Sequence, residues 1–364
     1  NVTFEITNSG IFSYLIGGYG NGSDNLVNTT EVYNYTINAA DTTEPYVNFT
    51  DPTPANASTI SINSMLVNVS SSDTNNVSTF IDFDNSLVGW WRMDDVNGSG
   101  DPTDYLGVNN GTAYGDAVLT SDGKIGSAFE FDGAGDYVDV ADDDSLNTGD
   151  TFTASFWIKG NGAQGNWKAI VGKYYDNSWG SWAFNTDTYG NNDFKFYIYD
   201  GSDHVVKYIG ALDGTWNHIV GIANGTDVIA YLNGVQVDSS TYSSSILYRA
   251  NSVFMGSYSA GYYFNGSIDD VMIFNRSLSA DEIVGLYANT SSKYVLNNFT
   301  GLAEGDHTFK AYSQDLSGNV NSTEERTVTV DAVDGVFPLI DFVDPTEDNA
   351  STIANTSVEV NVSI

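Results

Sequence analysis

The side chains of this sequence that could do chemistry are mainly carboxylates and the asparagines of glycosylation sequons. The 364 residues contain 47 Asp and Glu against 12 Lys and Arg, which gives a net charge of −35. Asp in loops is a common source of Ca²⁺ sites, because this hard cation prefers oxygen ligands. The same carboxylates also serve simply to solvate a large surface, and both interpretations stay open. A surface of this charge repels nucleic acid and anionic lipid, so we expect neither as a partner.

The sequon Asn-x-Ser/Thr occurs 19 times among 38 Asn. An attached glycan requires an exposed position and a glycosylating export route. The abundance of sequons therefore predicts an extracellular, cell-surface glycoprotein. The candidate N-glycosylation positions are Asn1, Asn21, Asn28, Asn34, Asn48, Asn56, Asn68, Asn76, Asn97, Asn110, Asn224, Asn265, Asn275, Asn289, Asn298, Asn321, Asn349, Asn355 and Asn361.

Catalytic chemistry finds little support in the sequence. With no Cys, the chain has neither a thiolate nucleophile nor a Cys-based zinc site. The three histidines, His204, His218 and His307, are far apart, and none lies in a metal-binding or triad motif. We therefore predict that the chain is not an enzyme.

The composition predicts an all-β fold. Aromatic residues make up 13% of the chain, and 36 Gly accompany only 6 Pro. With the many Val, Ile and Thr, this is typical of strands joined by tight turns. No apolar run is long enough to span a bilayer.

Two stretches of the sequence match without a gap at an offset of 293 residues. PYVNFTDPTPANASTISINSMLVNVS begins at Pro45, and PLIDFVDPTEDNASTIANTSVEVNVS begins at Pro338. The same offset continues upstream, where Tyr19 falls on Tyr312. Such a period predicts one unit of a tandem array. Two explanations stay open: either the polypeptide continues with further units, or identical chains join head to tail by completing each other's modules with strands.

One segment resembles a known family of surface modules. The sequence KYVLNNFTGLAEGDHTFKAYSQDLSGNVNSTEERTVTVD, from Lys293, is similar to the closing strands of immunoglobulin-like modules in bacterial and archaeal surface proteins. The resemblance implies a structural spacer or adhesion module without catalysis.

Six phrases between 87 and 287 occur in a diagnostic order: LVGWWRMDD, DYLGVNNGTAYGDA, GKIGSAFEFDGAGDYVDV, TFTASFWIK, GTWNHIVGIANGTDVIAYLNGVQV and GSIDDVMIFNRSLSADEIVGLY. This region resembles the laminin-G-like branch of the concanavalin A-like jelly rolls. The resemblance implies two antiparallel sheets packed face to face. Its expected core residues are Trp157, Trp216, Phe131, Tyr231 and Ile273.

Together the two resemblances predict immunoglobulin-like β-sandwich modules with an inserted jelly roll. Residues 1–44 form the C-terminal half of one module, and 45–86 and 291–334 form the two halves of the host module. Residues 87–290 form the laminin-G-like insert, and 335–364 form the first strands of the next module.

The jelly-roll resemblance also implies a structural Ca²⁺ where the first and last strands meet. Asp94 and Asp269 are the expected ligands, and Asp132 is a third candidate. By strand alternation Asp269 shares a face with Val271 and Ile273 and points inward, where a carboxylate needs a cation or several donors. The alternative is that Asp269 only accepts hydrogen bonds from the backbone or a Trp indole.

Many jelly rolls of this kind bind sugars, which suggests a glycan site among aromatic residues of the loop-rich middle. The alternative is that these residues only reflect the abundance of aromatics. The candidates are Trp167, Trp179, Trp182, Tyr174, Tyr175 and Tyr189. Glycosidases of this fold need closely spaced carboxylates on one strand, and no Glu-x-Asp-x-x-Glu run occurs here. We expect His218 to be a packing residue.

Two functions follow as hypotheses. The first is a structural repeat subunit of an extracellular surface layer, sheath or filament, whose partners are copies of itself. The second is an adhesin that binds glycans or proteins through the laminin-G-like domain.

Overall fold

The computed structural model describes residues 10–14, 17–19, 27–29, 32–37, 41–162, 164–175, 178–186, 193–208, 210–248, 250–257, 261–332, 341–343 and 360–363. The first strands in chain order are β1 (Gly10–Tyr14), β2 (Gly17–Tyr19), β3 (Val27–Thr29), β4 (Tyr33–Ile37), β5 (Tyr46–Thr50), β6 (Ser58–Ile60) and β7 (Ser64–Phe83). The next are β8 (Leu87–Trp91), β9 (Gly111–Tyr114), β10 (Val118–Thr120), β11 (Ala128–Asp132), β12 (Tyr137–Val140), β13 (Thr151–Gly160), β14 (Ala169–Tyr175), β15 (Ser178–Thr186), β16 (Phe194–Tyr199), β17 (Asp203–Tyr208), β18 (Asn217–Asn224), β19 (Asp227–Leu232), β20 (Val235–Thr241), β21 (Val253–Met255) and β22 (Asn265–Phe274). The last are β23 (Thr290–Thr300), β24 (Gly305–Asp315), β25 (Val320–Ser322), β26 (Arg326–Val330), β27 (Asp341–Val343) and β28 (Asn361–Ser363).

Helices are short in the described part of the chain. A single 3₁₀ turn covers Asp144–Leu146, and α1 covers Ala280–Leu286. Ser279 caps α1 in a capping box with Glu282, which satisfies backbone donors of the first turn. With seven residues, α1 is far too short for a bilayer, and no other described helix could span one. The predicted all-β fold is confirmed.

The middle of the chain forms a sandwich of two antiparallel sheets, which we call the large sandwich. Its eight-stranded sheet has the order β10-β11-β22-β13-β18-β19-β20, with β8 also beside β22. Its seven-stranded sheet has the order β17-β16-β15-β14-β21-β12-β9. Between them lies a core rich in aromatic residues, in which Phe131, Phe156, Phe184, Phe196 and Ile273 are buried.

Part of the expected core lies elsewhere. Phe131 and Ile273 are between the two sheets as predicted. Trp157 and Tyr231 are buried on the opposite face of the eight-stranded sheet, and half-buried Trp216 packs against the Trp157 cluster. Trp157 and Tyr231 are therefore buried as expected, but outside the inter-sheet core, because the opposite face is also covered and selects apolar residues as well.

A second sandwich is built from two distant stretches of chain, and we call it the split sandwich. The 20-residue β7 pairs through its first half with β5 and β23, and through its second half with β24. β24 also pairs with β25 and β26, and β6 lies parallel to β26. The core of the split sandwich contains Phe49, Val67, Ile81, Phe299 and Phe309. Strands before and after the large sandwich thus share one core.

The two sandwiches pack against each other through a third apolar cluster. Phe80 and Tyr312 of the split sandwich contact Trp90, and the ring centroids of Phe80 and Trp90 are 5.2 Å apart. Leu286 of α1 and Phe274 of β22 belong to the same cluster. The outer face of the eight-stranded sheet is therefore covered by the split sandwich and α1, and we call it the covered face.

The short hairpins near the two ends repeat the pairing of the split sandwich. In β27–β28, Phe342 pairs with Val362, as Phe49 pairs with Val69 between β5 and β7, and both offsets are 293 (342 minus 49, 362 minus 69). This register agrees with the sequence repeat.

The N-terminal hairpins follow the repeat with a correction. Ile37 lies 293 residues before Val330, but their partners Gly10 and Gly305 are 295 apart (305 minus 10). The gap-free alignment of Tyr19 with Tyr312 is therefore displaced by two residues. Seven residues of chain separate the paired residues Tyr19 and Val27, two more than the five that separate Gln314 and Val320.

Candidate functional site

The candidate site is the outer face of the seven-stranded sheet, which we call the open face. Trp182 and Phe184 of β15 point into the core between the sheets. By alternation Ser181, Ala183 and Asn185 point to the opposite side. No sandwich packs on this side among the described residues.

Small side chains form the middle of the open face. Gly172 of β14 lies opposite Ala183, and a Cβ on Gly172 would be only 2.6 Å from the Cβ of Ala183. Glycine is therefore required here by close packing rather than by its backbone angles. Phe254 flanks this pair on one side and Tyr197 on the other, as their strand registers show. Ala183 and Tyr197 are buried, at 2% and 4% exposure, so this row of the sheet is closely packed.

Three polar atoms of the open face are buried without a hydrogen-bond partner. They are Asp139 Oδ1, Ser181 Oγ and Asn185 Oδ1. Ser181 is 0% and Asn185 4% exposed. A buried polar group without a partner costs about 1–3 kcal/mol, so such groups are rare unless a ligand completes them. Such atoms also occur on the covered face, at Trp157 Nε1 and Asp269 Oδ1, and the three on the open face make that face a candidate for a polar ligand.

Aromatic side chains surround the middle of the open face. Trp167, 40% exposed and in the left-handed region with φ of 61°, holds the Lys195 Nζ atom 4.2 Å from its ring centroid. Lys195 lies directly opposite Asn185, which places Trp167 at the same corner. On the far side Tyr114 and Tyr137 stack with centroids 4.7 Å apart.

The aromatic residues expected from the sequence have different positions. Trp167 lies at the open face, whereas Trp182 is buried in the core. Tyr189 and the side chains of Tyr174, Tyr175 and Trp179 lie outside the described residues. The polar residues of the open face were missed, although the alternation of Ser, Ala and Asn with Trp and Phe in SWAFNT was a readable signal.

A group of buried carboxylates lies where the two sandwiches meet. Asp270 accepts hydrogen bonds from Trp90 Nε1 at 2.7 Å and from Gln314 Nε2, across the junction, at 2.6 Å. Asp94 accepts from Ser127 N at 2.6 Å and from Arg92 Nη2 at 2.9 Å. Arg92 also donates to the Gly318 carbonyl in the split sandwich. These contacts join the two sandwiches by polar as well as apolar packing.

Burial controls the protonation of these carboxylates. It raises the pKa of Asp94 to about 7, outweighing the Ser127 N–H and the Arg92 guanidinium despite the ion pair. Burial, with the neighbouring charge of Asp270, also raises the pKa of Asp269. Both groups therefore favour the protonated form more than a solvated carboxyl does.

The expected direction of Asp269 was wrong. Asp270 has a φ of 50° and lies in a β-bulge, because two residues of β22 face the single Phe156 of β13. The bulge reverses the alternation. Val271 and Ile273 point into the inter-sheet core, while Asp269 pairs with Trp157 on the covered face.

The three predicted calcium ligands are not brought together. Asp269 Oδ2 accepts from the backbone N of Lys124 and Ile125 at 2.8 and 2.9 Å, and Oδ1 has no partner. Both carboxylate oxygens of Asp94 accept hydrogen bonds, one from Ser127 N and one from Arg92 Nη2. Exposed Asp132 accepts a hydrogen bond from Ala134 N in its own turn. Ca²⁺ takes about 6–8 oxygen ligands, so the predicted set does not fit this ion.

One acidic group within the described ranges has ligand spacing. The carboxylates of Asp41, Asp73 and Asp315 have oxygens within 4.8 Å of one another. Each already accepts hydrogen bonds from neighbours such as Asn75 and Asn319. Sequence reasoning missed this group, because its members come from three distant stretches of chain. Calcium binding itself stays a prediction.

The three histidines lie in separate environments. His218 is buried, its Nε2 is 2.9 Å from Ser155 Oγ, and burial lowers its pKa to about 3. His307 contacts Asp84, and His204 contacts Asp200. They form no common site.

A cleft of about 300 Å³ lies on the outer side of the eight-stranded sheet, near the ends of β10, β11 and β13. Glu130 and Lys159 line it with several glycines. Lys159 is already paired with Asp122 at 2.7 Å. The cleft therefore offers fewer unsatisfied groups than the open face.

The sequon asparagines differ in their surroundings. Asn48, Asn275 and Asn298 are exposed, whereas the Nδ2 atoms of Asn68 and Asn321 donate to the carbonyls of Asp51 and Pro45. Asn1, Asn21, Asn349 and Asn355, and the side chains of Asn28, Asn34 and Asn361, lie outside the described residues. No sequon lies in β12, β14, β15, β16 or β21, the strands of the open face.

Comparison with known proteins identifies the fold of the large sandwich. Residues 132–284 match a laminin G family model described as the concanavalin A-like lectin/glucanases superfamily. A comparison with curated proteins finds no match.

Several solved structures are similar in fold. Domain 4 of an extracellular arabinanase from Geobacillus stearothermophilus, solved in complex with arabinotriose, is 21% identical, and the match covers 56% of this chain and 98% of that one (TM-score 0.41). The binding domain of Paraclostridial Mosquitocidal Protein 1 is 18% identical, with 56% and 52% covered (TM-score 0.45). The binding domain of Botulinum Neurotoxin DC, in complex with SialylT, is 17% identical, with 56% and 51% covered (TM-score 0.45). The match spans about half the length of both toxin domains. Residues 132–284 thus form a concanavalin A-like lectin/glucanase domain, as the sequence motifs predicted.

Proposed function

We propose that this chain is the carbohydrate-binding part of a repeat-built cell-surface adhesin, and that the open face binds an oligosaccharide. The observation that carries the proposal is the set of buried atoms without partners, Asp139 Oδ1, Ser181 Oγ and Asn185 Oδ1. Sugar hydroxyls both donate and accept hydrogen bonds, so one extended oligosaccharide can satisfy all three.

The dimensions of the open face suit a chain of sugars. From β12 to β16 the sheet crosses four strand spacings, or about 19 Å at ~4.8 Å each. The side chains at Gly172 and Ala183 are small, and Phe254 and the exposed Trp167 offer apolar surfaces for the C–H groups of a sugar ring. Pockets that bind small ligands combine such aromatic walls with a few placed polar groups. The lectin/glucanase type of fold agrees with this use.

The proposed role is binding without catalysis. The carboxylates at the junction of the sandwiches lie on the covered side of the eight-stranded sheet, away from the open face. Strand β12 contains one carboxylate, Asp139, and strands β14, β15, β16 and β21 contain none. A glycosidase needs two carboxyl groups flanking one bond.

A glycan array probed with the full chain tests the proposal. We expect saturable binding to one class of oligosaccharide and loss of that binding in Asn185→Ala. The control variant Asn275→Ala should keep the binding, because this exposed asparagine directly follows β22 of the other sheet. Silence toward every oligosaccharide, or equal binding by both variants, would contradict it.

A structural role in a surface layer, sheath or filament is the second candidate. The register of β27–β28 favours it, because it repeats that of β5–β7 at the period of the sequence, and β1–β4 repeats the pairing of β24–β26 with a two-residue shift. In this proposal the split sandwich is an immunoglobulin-like spacer, and each period presents one jelly roll. Ordered filaments in electron micrographs, without glycan binding, would favour this role over the adhesin.

A further inference from the structure

One face of the split sandwich combines exposed sequons with exposed apolar side chains. We propose that N-linked glycans on Asn48 and Asn298 cover the outer face of β5, β7 and β23. This inference does not depend on the function proposed for the open face.

The strand registers place both asparagines beside the same surface. Asn48 lies opposite Ser70 of β7, and Ser70 lies opposite Tyr294 of β23. Asn298 of β23 lies opposite Leu66. Because neighbouring strands are about 4.8 Å apart, the two asparagines border one continuous area of sheet.

Three of the residues inside this border, beside Ser70 and Asn68, are apolar and exposed. Tyr294 is 80%, Leu296 44% and Leu66 40% exposed. Leu296 and Leu66 are diagonal neighbours across the β23–β7 pair, at about 7–8 Å. Isolated exposed apolar residues are ordinary, but a group on one sheet face indicates a surface that something covers.

The two sequons are built to present a glycan outward. Both read Asn-Phe-Thr, and their central residues Phe49 and Phe299 are buried in the core of the split sandwich. Burial of the phenylalanine fixes the asparagine and threonine on the outer side, where both asparagines are exposed. Asn68, on the same face, instead donates its Nδ2 to the Asp51 carbonyl at 3.0 Å. Asn48 and Asn298 are thus the exposed sequon asparagines of this face, whereas Asn68 is half-exposed, and we take the two exposed ones as the attachment points.

The position of the glycans explains the exposed side chains. A sugar attached at Asn298 extends over Leu66 and Leu296, and one attached at Asn48 reaches Tyr294 across β7. The C–H faces of the first sugars then remove these side chains from water, which is favourable in proportion to the apolar area covered.

Glycopeptide mass spectrometry on the full chain, secreted from a host with an N-glycosylation system, tests the attachment. We expect glycan on both Asn48 and Asn298. Both positions unmodified, whether or not other sequons carry glycan, would overturn the proposal.

The covering role has its own test. The variant Asn48→Gln/Asn298→Gln should bind an apolar fluorescent dye several-fold more than the wild type, and Asn275→Gln should not. Adding Tyr294→Ser and Leu296→Ser to the double variant should return the signal to the wild-type level. Equal dye binding by the double variant and Asn275→Gln would contradict the covering role, even with both sites glycosylated.

Discussion

The two outer faces of the large sandwich have opposite chemistry. The covered face carries apolar side chains such as Val220, Met272 and Phe274, and the split sandwich and α1 pack on it. The open face carries small and polar side chains, including Ser181 and Asn185. Both sets are buried, and both faces leave polar atoms without partners, such as Asp269 Oδ1 and Trp157 Nε1 on the covered face and Ser181 Oγ and Asn185 Oδ1 on the open face. The difference is that apolar packing across the junction fills the covered face, whereas no sandwich packs on the open face among the described residues, and there we propose the ligand site.

The largest expected effect separates the two faces by stability. Trp90→Ala removes a fully buried ring that contacts Phe80 and Tyr312 across the junction. We expect a loss of about 3–5 kcal/mol in the free energy of unfolding, as for other large core truncations. Trp167→Ala, at the open face, should cost about 0.5 kcal/mol or less. Urea denaturation measures both, and equal losses would break the distinction between the faces.

A second expected effect concerns pH and the junction. Burial raises the pKa of Asp94 to about 7 from 3.8, so the folded state holds this proton more tightly than the unfolded state does. The contribution of Asp94 to stability is therefore most favourable below about pH 4 and is lost as the pH rises to about 7.

The comparison with Asp94→Asn isolates this contribution. In the presence of a chelator, the stability of the variant relative to the wild type should rise between pH 4 and pH 7 and stay level above. A relative stability that falls over this interval would contradict the sign of the pKa change.

Much of the architecture was predictable from the sequence. The six ordered motifs predicted the jelly roll through their resemblance to the laminin-G-like family, and the family match over residues 132–284 agrees with it. The bulge at Asp270 was not predictable, since an extra residue in a strand leaves no trace in a hydrophobic pattern. For the same reason Asp269 was assigned to the wrong face, whereas Trp157 lies on the covered face by plain alternation in β13, between the core residues Phe156 and Ile158.

The candidate site was predictable only in part. Trp167 was among the expected aromatic residues, and the structure places it at the open face. Asp139 and Asn185 were missed, because their shared face depends on strand order, which brings together strands distant in the sequence. The alternation within one sequence predicts which side chains of a strand share a face, but it does not predict which strands lie next to each other in the sheet.

A third expected effect concerns ligand affinity at the open face. Trp167→Ala removes an exposed ring beside Asn185 and Lys195. We expect about fivefold weaker binding of the oligosaccharide selected on the array, because one stacked ring contributes about 1 kcal/mol. Calorimetry measures this change, and the free energy of unfolding should stay nearly constant. Unchanged affinity would show that the sugar does not bind beside Trp167.

The smallest expected effect lies at the edge of the sheet. Tyr114 stacks on Tyr137 at the border of the open face, two strands from Phe254. Tyr114→Ala should weaken oligosaccharide binding only about two- to threefold, since a partly exposed contact contributes about 0.5 kcal/mol. If Tyr114→Ala weakened binding more than Trp167→Ala does, the sugar would bind nearer to β9 and β12 than we propose.

The most direct test of the account is to map the bound oligosaccharide by NMR on the isotopically labelled full chain. We predict that titration with the oligosaccharide selected on the array shifts the backbone amides of Gly172, Ala183 and Asn185 and leaves those of the covered face, such as Met272, unchanged. Shifts confined to the cleft around Glu130 and Lys159, or no shifts at saturating concentration, would contradict the assignment of the open face as the binding site.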